Sequence, residues 1–326
     1  MLIHMGQVTA PVDLALTGGT IADVRTGTLH RAAIAIRGAQ IAAIGPDAEI
    51  RAGARQVLDV TGHVLTPGYI EPHGHILAVN PVEFAKAVLA RGTTTAVIDA
   101  LPLMMLLPPE HLADVLERLA SLPMRIRWLI RLHPQSFGHE DTFALEHLRH
   151  LWRLPSAAAV GEVTRWVDVL EGDPDLREKI TAARADGRRV EGHAPGASFE
   201  RLRGLAAAGF TSCHEAVTAE DVTNRLRAGL FAMLRHSSIR PDLPELLKAA
   251  THEEVFASRL MLTADGPTPS FIATYGYMDH LIDVAVRSGV PPISALRMVT
   301  LNPAAYYGWE HLGEIAVGKQ DRKSVV

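Results

Sequence analysis

The sequence predicts an α/β fold: a (β/α)8 TIM barrel carrying a small β-sandwich layer built from the N-terminal and C-terminal segments. Three observations predict it. From residue 64 onward β-like runs alternate with stretches of helical periodicity, a block of short apolar stretches at hairpin spacing precedes them, and 326 residues suit one barrel with a small extra layer.

The block over 12–66 contains VDLALTGGTI, AAIAIRG, QIAAIG and RQVLDVTGHVL, separated by glycine and polar turns. We read 1–66 as the small β layer, completed by 309–326, and 67–308 as the barrel. The barrel strands fall in VLTPGYIEPHGH, TTTAVIDA, RIRWLIRLH, AAAVGEV, RRVEGHA, FTSCHEA, LFAMLRHSS and RLMLTAD. Eight such runs is the number that closes a barrel. Between them PVEFAKAVLARG, PEHLADVLERLASL, DPDLREKITAARADG, SFERLRGLAAAG and TAEDVTNRLRAG are amphipathic, and several close on glycine as helices do. After the eighth run, Tyr277 to Ser288 and Pro291 to Tyr307 read as helices, and LGEIAVGKQ reads as a β segment joining the N-terminal layer.

Composition narrows the partners. A formal net charge of -4 and 5% aromatic residues supply neither a basic patch nor a stacking platform, so nucleic acid is not expected. A small-molecule partner is, with homo-oligomerisation left open. Cys213 is the only cysteine, which excludes an intrachain disulfide and fits a cytoplasmic protein. The N-terminus MLIHMGQVTAPVD has no export pattern, and no run reaches the roughly 18 apolar residues of a membrane span.

Barrel chemistry is assembled at the C-terminal ends of the strands. The first run ends in His73-Gly74-His75, the fourth in Gly161-Glu162, the fifth in Gly192-His193, the sixth in His214-Glu215 and the eighth in Ala264-Asp265. Residues two apart on a strand point to one side, so His73 and His75 can grip one ion. A single strand-end histidine is usually a hydrogen-bonded structural residue, but five strand ends carrying ligand-type side chains in one chain are not. His73, His75, Glu162, His193, His214 and Asp265 are therefore the candidate metal ligands. Their imidazole and carboxylate donors suit one or two divalent ions, Zn²⁺, Fe²⁺ or Mn²⁺, with a position open for water. His133 at the third strand end, and Arg235 and His236 at the seventh, are candidate substrate contacts. Cys213 alternates away from His214 and reads as a small buried residue.

PGYIEPHGH, GHAPG, CHE, TAD and LNPAAYYG together resemble the amidohydrolase superfamily. GTTTAVIDA, GHAPGASFERLRGLAAAGFTSCHEAVTAEDVTNRLRAGLFAMLRHSS and PPISALRMVTLNPAAYYG are similar to its adenine deaminase branch. The resemblance covers nearly the whole chain. It implies that His73, His75 and Asp265 bind one metal, that His193 and His214 bind a second, and that Glu162 bridges them in place of the carbamylated lysine of other relatives. Between His75 and His193 the only lysines are Lys86 and Lys179, both in helical stretches. It further implies a hydrolytic deaminase of a purine-like heterocycle, adenine in the branch itself, in which metal-activated hydroxide attacks and Asp265 shuttles the proton. Glu215 is a second candidate catalytic residue, as proton carrier or substrate contact.

The chain departs from the branch at Ile76-Leu77-Ala78-Val79, where a Glu-Ser-Ser stretch is usual. It departs again at Ala100-Leu101-Pro102-Leu103, where a Pro-His-Glu group is usual, and at Ala264, where a second aspartate is usual. Hydrolysis of a cyclic or acyclic amide is the alternative with the same ligands, and a non-catalytic barrel scaffold is the alternative of another class. After LGEIAVGKQ the branch continues with an Ala-Asp pair and an apolar strand, whereas this chain ends Asp321-Arg322-Lys323-Ser324-Val325-Val326. That hexapeptide reads as translated adapter sequence. The expectation is a longer native chain whose further segment completes the β layer and serves stability more than chemistry.

Overall fold

The computed structural model describes residues 11–76, 79–135, 139–252 and 257–321, with side chains described for all of these but His252. Two of the departures noted above, Leu77-Ala78 and the segment after Asp321, lie outside the described residues. The chain divides into two compact units, Met1–Gly68 with Pro292–Val326, and Tyr69–Pro291.

In the second unit eight parallel strands run Tyr69–Gly74, Thr93–Asp99, Arg125–Ile130, Ala157–Val163, Val190–Gly192, Ser212–Cys213, Phe231–Arg235 and Leu260–Thr263. They pair in sequence order within one sheet. The first strand meets the end of the last through a parallel bridge between Gly74 and Asp265, where the His75 N–H donates to the Asp265 carbonyl at 2.8 Å. The sheet is thereby drawn into a barrel, and each of the eight apolar runs contains one of its strands.

The strands form because their residues are buried on both faces, as in Thr93–Asp99 and Ala157–Val163, where nearly every position is inaccessible. Helices form between them because their start signals are local. Asn80, Asp173, Ser198 and Thr218 each cap a following helix by accepting from a backbone N–H, and Thr218 and Asp221 make a reciprocal capping box. Gly192, just before His193, has a steric cause: a Cβ there would stand 2.4 Å from the Phe210 ring.

In the first unit one sheet orders Gln40–Gly45, Ala33–Arg37, Val12–Thr17 and Ala54–Asp59, and another orders Thr28–Arg31, Thr20–Asp23 and Val64–Leu65. Val12, Ala15, Ala33, Ala35 and Ile50 form one apolar cluster, and Ile21, Ile34, Ile36 and Ile41 another. The LGEIAVGKQ segment makes no strand of its own. It joins this layer by an isolated bridge between Gln40 and Gln320, beside Ile41 N–H donating to Lys319 O at 2.9 Å. The expected helix from Pro291 is two helices, Pro292–Val299 and Leu301–Tyr307, broken at Thr300, whose φ of -135° is not helical. No described helix is long and apolar enough to cross a membrane.

Candidate metal centre

Strand alternation sends Glu71 and His73 inward together, and His75 follows where the strand ends. Glu71 is a fully buried platform: its carboxylate accepts from the His73 N–H at 3.0 Å, the Ala264 N–H at 2.8 Å and the Thr263 hydroxyl at 2.6 Å. The first strand end is thus tied to the last. Burial nevertheless pushes the Glu71 carboxyl up to about 7, against the pull of those donors.

The six candidate ligands lie at the mouth of this unit in two groups. Ligand atoms of His73, His75 and Asp265 lie within 4.8 Å of one another, and so do those of Glu162, His193 and His214. His73 Nε2 and His75 Nε2 are 3.2 Å apart, and Asp265 Oδ1 stands 3.5 and 3.2 Å from them. In the second group His193 Nδ1 is 3.1 Å from His214 Nε2, Glu162 Oε1 is 3.5 Å from His214 Nε2, and His193 Nδ1 also contacts Glu162 Oε1. His73, His75 and His214 therefore present Nε2 to the cluster, whereas His193 presents Nδ1.

Behind these groups stand buried partners that the strand-end argument did not single out. Asp99 Oδ2 lies 3.3 Å from His75 Nδ1, and Glu191 Oε1 lies 2.9 Å from His214 Nδ1 and 3.0 Å from His73 Nδ1. Arg131 donates to Asp99 at 3.0 and 2.8 Å, to Glu162 Oε2 at 2.6 Å and to the Glu162 carbonyl at 2.9 Å. A carboxylate on the far ring nitrogen fixes which nitrogen faces a metal. The sequence held a signal for each. Glu71, Arg131 and Glu191 sit two residues before His73, His133 and His193, and Asp99 closes the TTTAVID strand.

The donor set fits divalent ions on its electrostatics. Burial opposes charge on Asp99, but Arg131 and His75 outweigh it and hold its carboxyl at about 2. Glu162 and Asp265 are likewise held well below the usual carboxylate range despite burial, Glu162 chiefly by His193 and His214, Asp265 chiefly by His73 and His75. Burial and His73 oppose a proton on His214, yet Glu162 and Glu191 lift it to about 10. The buried carboxylates thus demand more positive charge than Arg131 and Arg235 provide. A divalent ion in each group would meet that demand through the same nitrogens.

The other candidates are placed as follows. Glu215 is buried and paired with Arg235, and Arg235 Nη1 also stands 3.3 Å from Asp265 Oδ2. Burial opposes the Glu215 charge, but Arg235 and the neighbouring histidines keep its carboxyl below the usual range. Both line a cavity of about 440 Å³ with His75, Glu162, His193 and Asp265, together with Gln135, Thr164, Ser237, Ile239 and Arg240. His133 and His236 do not line it. His133 is covered by Thr164, 3.4 Å from its Nε2, and His236 packs toward Phe271 and His280. Lys86 pairs with Glu83 at 2.8 Å and Lys179 with Asp175 at 2.6 Å, each on its own helix. Cys213 is buried.

A parallel eight-stranded barrel with a histidine and carboxylate cluster at its strand ends defines a class of metal-centred barrel proteins. Residues 64–326 match the amidohydrolase family, and the chain belongs to it. It is 32% identical to an adenine deaminase of Moorella thermoacetica over 98% of this chain and 55% of that protein. It is 34% identical to an adenine deaminase of Cereibacter sphaeroides over 98% of this chain and 56% of that protein. The chain therefore spans about half the length of the curated relatives it matches. Among solved structures, one described as an adenine deaminase aligns with a TM-score of 0.70 at 15% identity, covering 94% of this chain and 88% of that one. A β-aspartyl dipeptidase from Fervidobacterium islandicum AW-1 aligns at 0.67 and 15%, covering 94% and 90%. At such identities these two attest the fold alone.

Proposed function

We infer that the chain carries the catalytic barrel of a hydrolytic deaminase that uses one or two divalent ions, zinc, iron or manganese, to release ammonia from a purine-like heterocycle in the cytoplasm. The observation that carries this reading is the convergence of His75, His193, His214, Glu162 and Asp265 on one cavity, with His73 buried against His75 and Asp265, in a family member similar to curated adenine deaminases. His73, His75 and Asp265 would hold one ion and His193 and His214 another, with Glu162 between them. When bound, such an ion supplies a Lewis acid that polarises the substrate and acidifies water.

The chain's own residues would do the rest. Asp265, facing both the histidines and the cavity, would take the proton from the attacking water and pass it to the leaving nitrogen. Glu215, held ionised by Arg235, suits acceptance of a substrate N–H better than donation of a proton. Arg131 keeps Glu162 and Asp99 charged and aimed.

Assaying the protein, loaded separately with Zn²⁺, Fe²⁺ and Mn²⁺, against aminopurines, aminopyrimidines, cyclic amides and N-acyl compounds tests the reading. Ammonia from an aminopurine is the expected result. Ring opening or acyl cleavage without ammonia would replace it with the amide-hydrolase reading. A chain that takes up no metal and turns nothing over would be a scaffold.

The bridging role of Glu162 carries its own expectation. Since Lys86 and Lys179 are engaged on outer helices, metal loading with and without bicarbonate should give the same activity per bound metal. A mass increment of one carboxyl group on either lysine, with activity that needs bicarbonate, would overturn it.

A further inference from the structure

Glu191 stands where the two ligand groups meet, and it does more than back one histidine. The His73 and His214 rings are stacked, with centroids 4.1 Å apart and planes 17° from parallel, so both turn the same edge toward the fifth strand. One atom, Glu191 Oε1, receives both edges, at 3.0 Å from His73 Nδ1 and 2.9 Å from His214 Nδ1. The contact to His214 is a hydrogen bond. That to His73 is an ion-pair contact at hydrogen-bonding distance between two buried side chains. Glu191, His73 and His214 are all essentially inaccessible to bulk solvent.

We propose that Glu191 is a positioning residue that couples the two metal-ligand groups, fixing His73 of one and His214 of the other as a single stacked unit whose Nε2 atoms face the ions. The two groups then do not lose or gain ligand order independently. An oriented carboxylate behind a ligand imidazole is worth about 10- to 100-fold in metal affinity, and here one carboxylate serves a ligand of each group. The proposal rests on the reading that both groups hold ions.

Zinc titration against a chromophoric chelator tests it, with wild type, Glu191→Ala, Glu191→Gln and Glu191→Asp compared. Wild type should bind two equivalents. In Glu191→Ala both dissociation constants should rise together by about 10- to 100-fold, with a smaller parallel rise in Glu191→Gln and partial recovery in Glu191→Asp. The visible absorption of cobalt-loaded Glu191→Gln should change, although its volume is kept and its metal-free melting temperature stays near wild type. Unchanged constants, or loss of one ion with the other held as in wild type, would overturn the coupling. If Glu191→Ala does not fold, Glu191→Gln is judged by the same criteria. Fewer than two equivalents in wild type would instead overturn the paired-ion reading beneath it.

Discussion

Replacing Asp265 by Asn should lower kcat by about 10²- to 10⁴-fold, the usual worth of a positioned proton carrier, while the protein stays folded and keeps most of its metal. Asp265 is the single non-glycine residue with positive φ among the described residues, at 57°. Asparagine tolerates that left-handed conformation as well as aspartate does, so the substitution leaves the backbone undisturbed. It also keeps the shape of a side chain that lines the cavity and faces His73, His75 and Arg235. What it removes is the capacity to take a proton. The four histidines and Glu162 remain to hold ions, so metal content should fall far less than turnover. Steady-state kinetics with metal analysis on the same samples decides the point, and a kcat near wild type would show that another group carries the proton.

Arg131→Met should be the most destabilising single change at the site, by about 3–5 kcal/mol in metal-free protein, because it strips a buried cation from two buried carboxylates. The Arg131 side chain is 3% exposed and those of Asp99 and Glu162 are 2% and 5%. Methionine fills a similar volume, so the cost is electrostatic and not that of a cavity. For a unit of this size the loss corresponds to a melting temperature lower by roughly 10 °C. Saturating zinc should recover part of it, since an ion binding only the native state stabilises that state and brings positive charge to Glu162. A metal-free melting temperature within a degree of wild type would mean that the triad does not hold two buried charges.

The barrel was legible because its evidence is local and repeated. Each of the eight apolar runs holds a strand, and the capping residues Asn80, Asp173, Ser198 and Thr218 mark helix starts in the chain itself. The convergence of the candidate ligands was legible for a related reason. Strand ends share one rim of a barrel, so residue type and position together imply proximity. The pairings of the groups behind them were not legible, because their partners lie on other strands. Arg131 meets Asp99 across 32 positions, and Thr263 meets Glu71 across 192. Alternation gives the face a residue points to, but not the partner it finds there. For His236 alternation gives the opposite lesson: Arg235 and Ser237 line the cavity, so the residue between them points elsewhere. The LGEIAVGKQ segment shows the limit of apolar patterning, because it supplies an isolated bridge instead of a strand.

The most direct test of the metal centre is an anomalous difference map at the zinc edge from crystals of zinc-loaded protein. Peaks are expected in the strand-end cavity, one within about 2.0–2.2 Å of His73, His75 and Asp265 donors and one at the same range from Glu162, His193 and His214. Fully loaded crystals with no peak there, or with zinc held by other residues, would contradict that expectation.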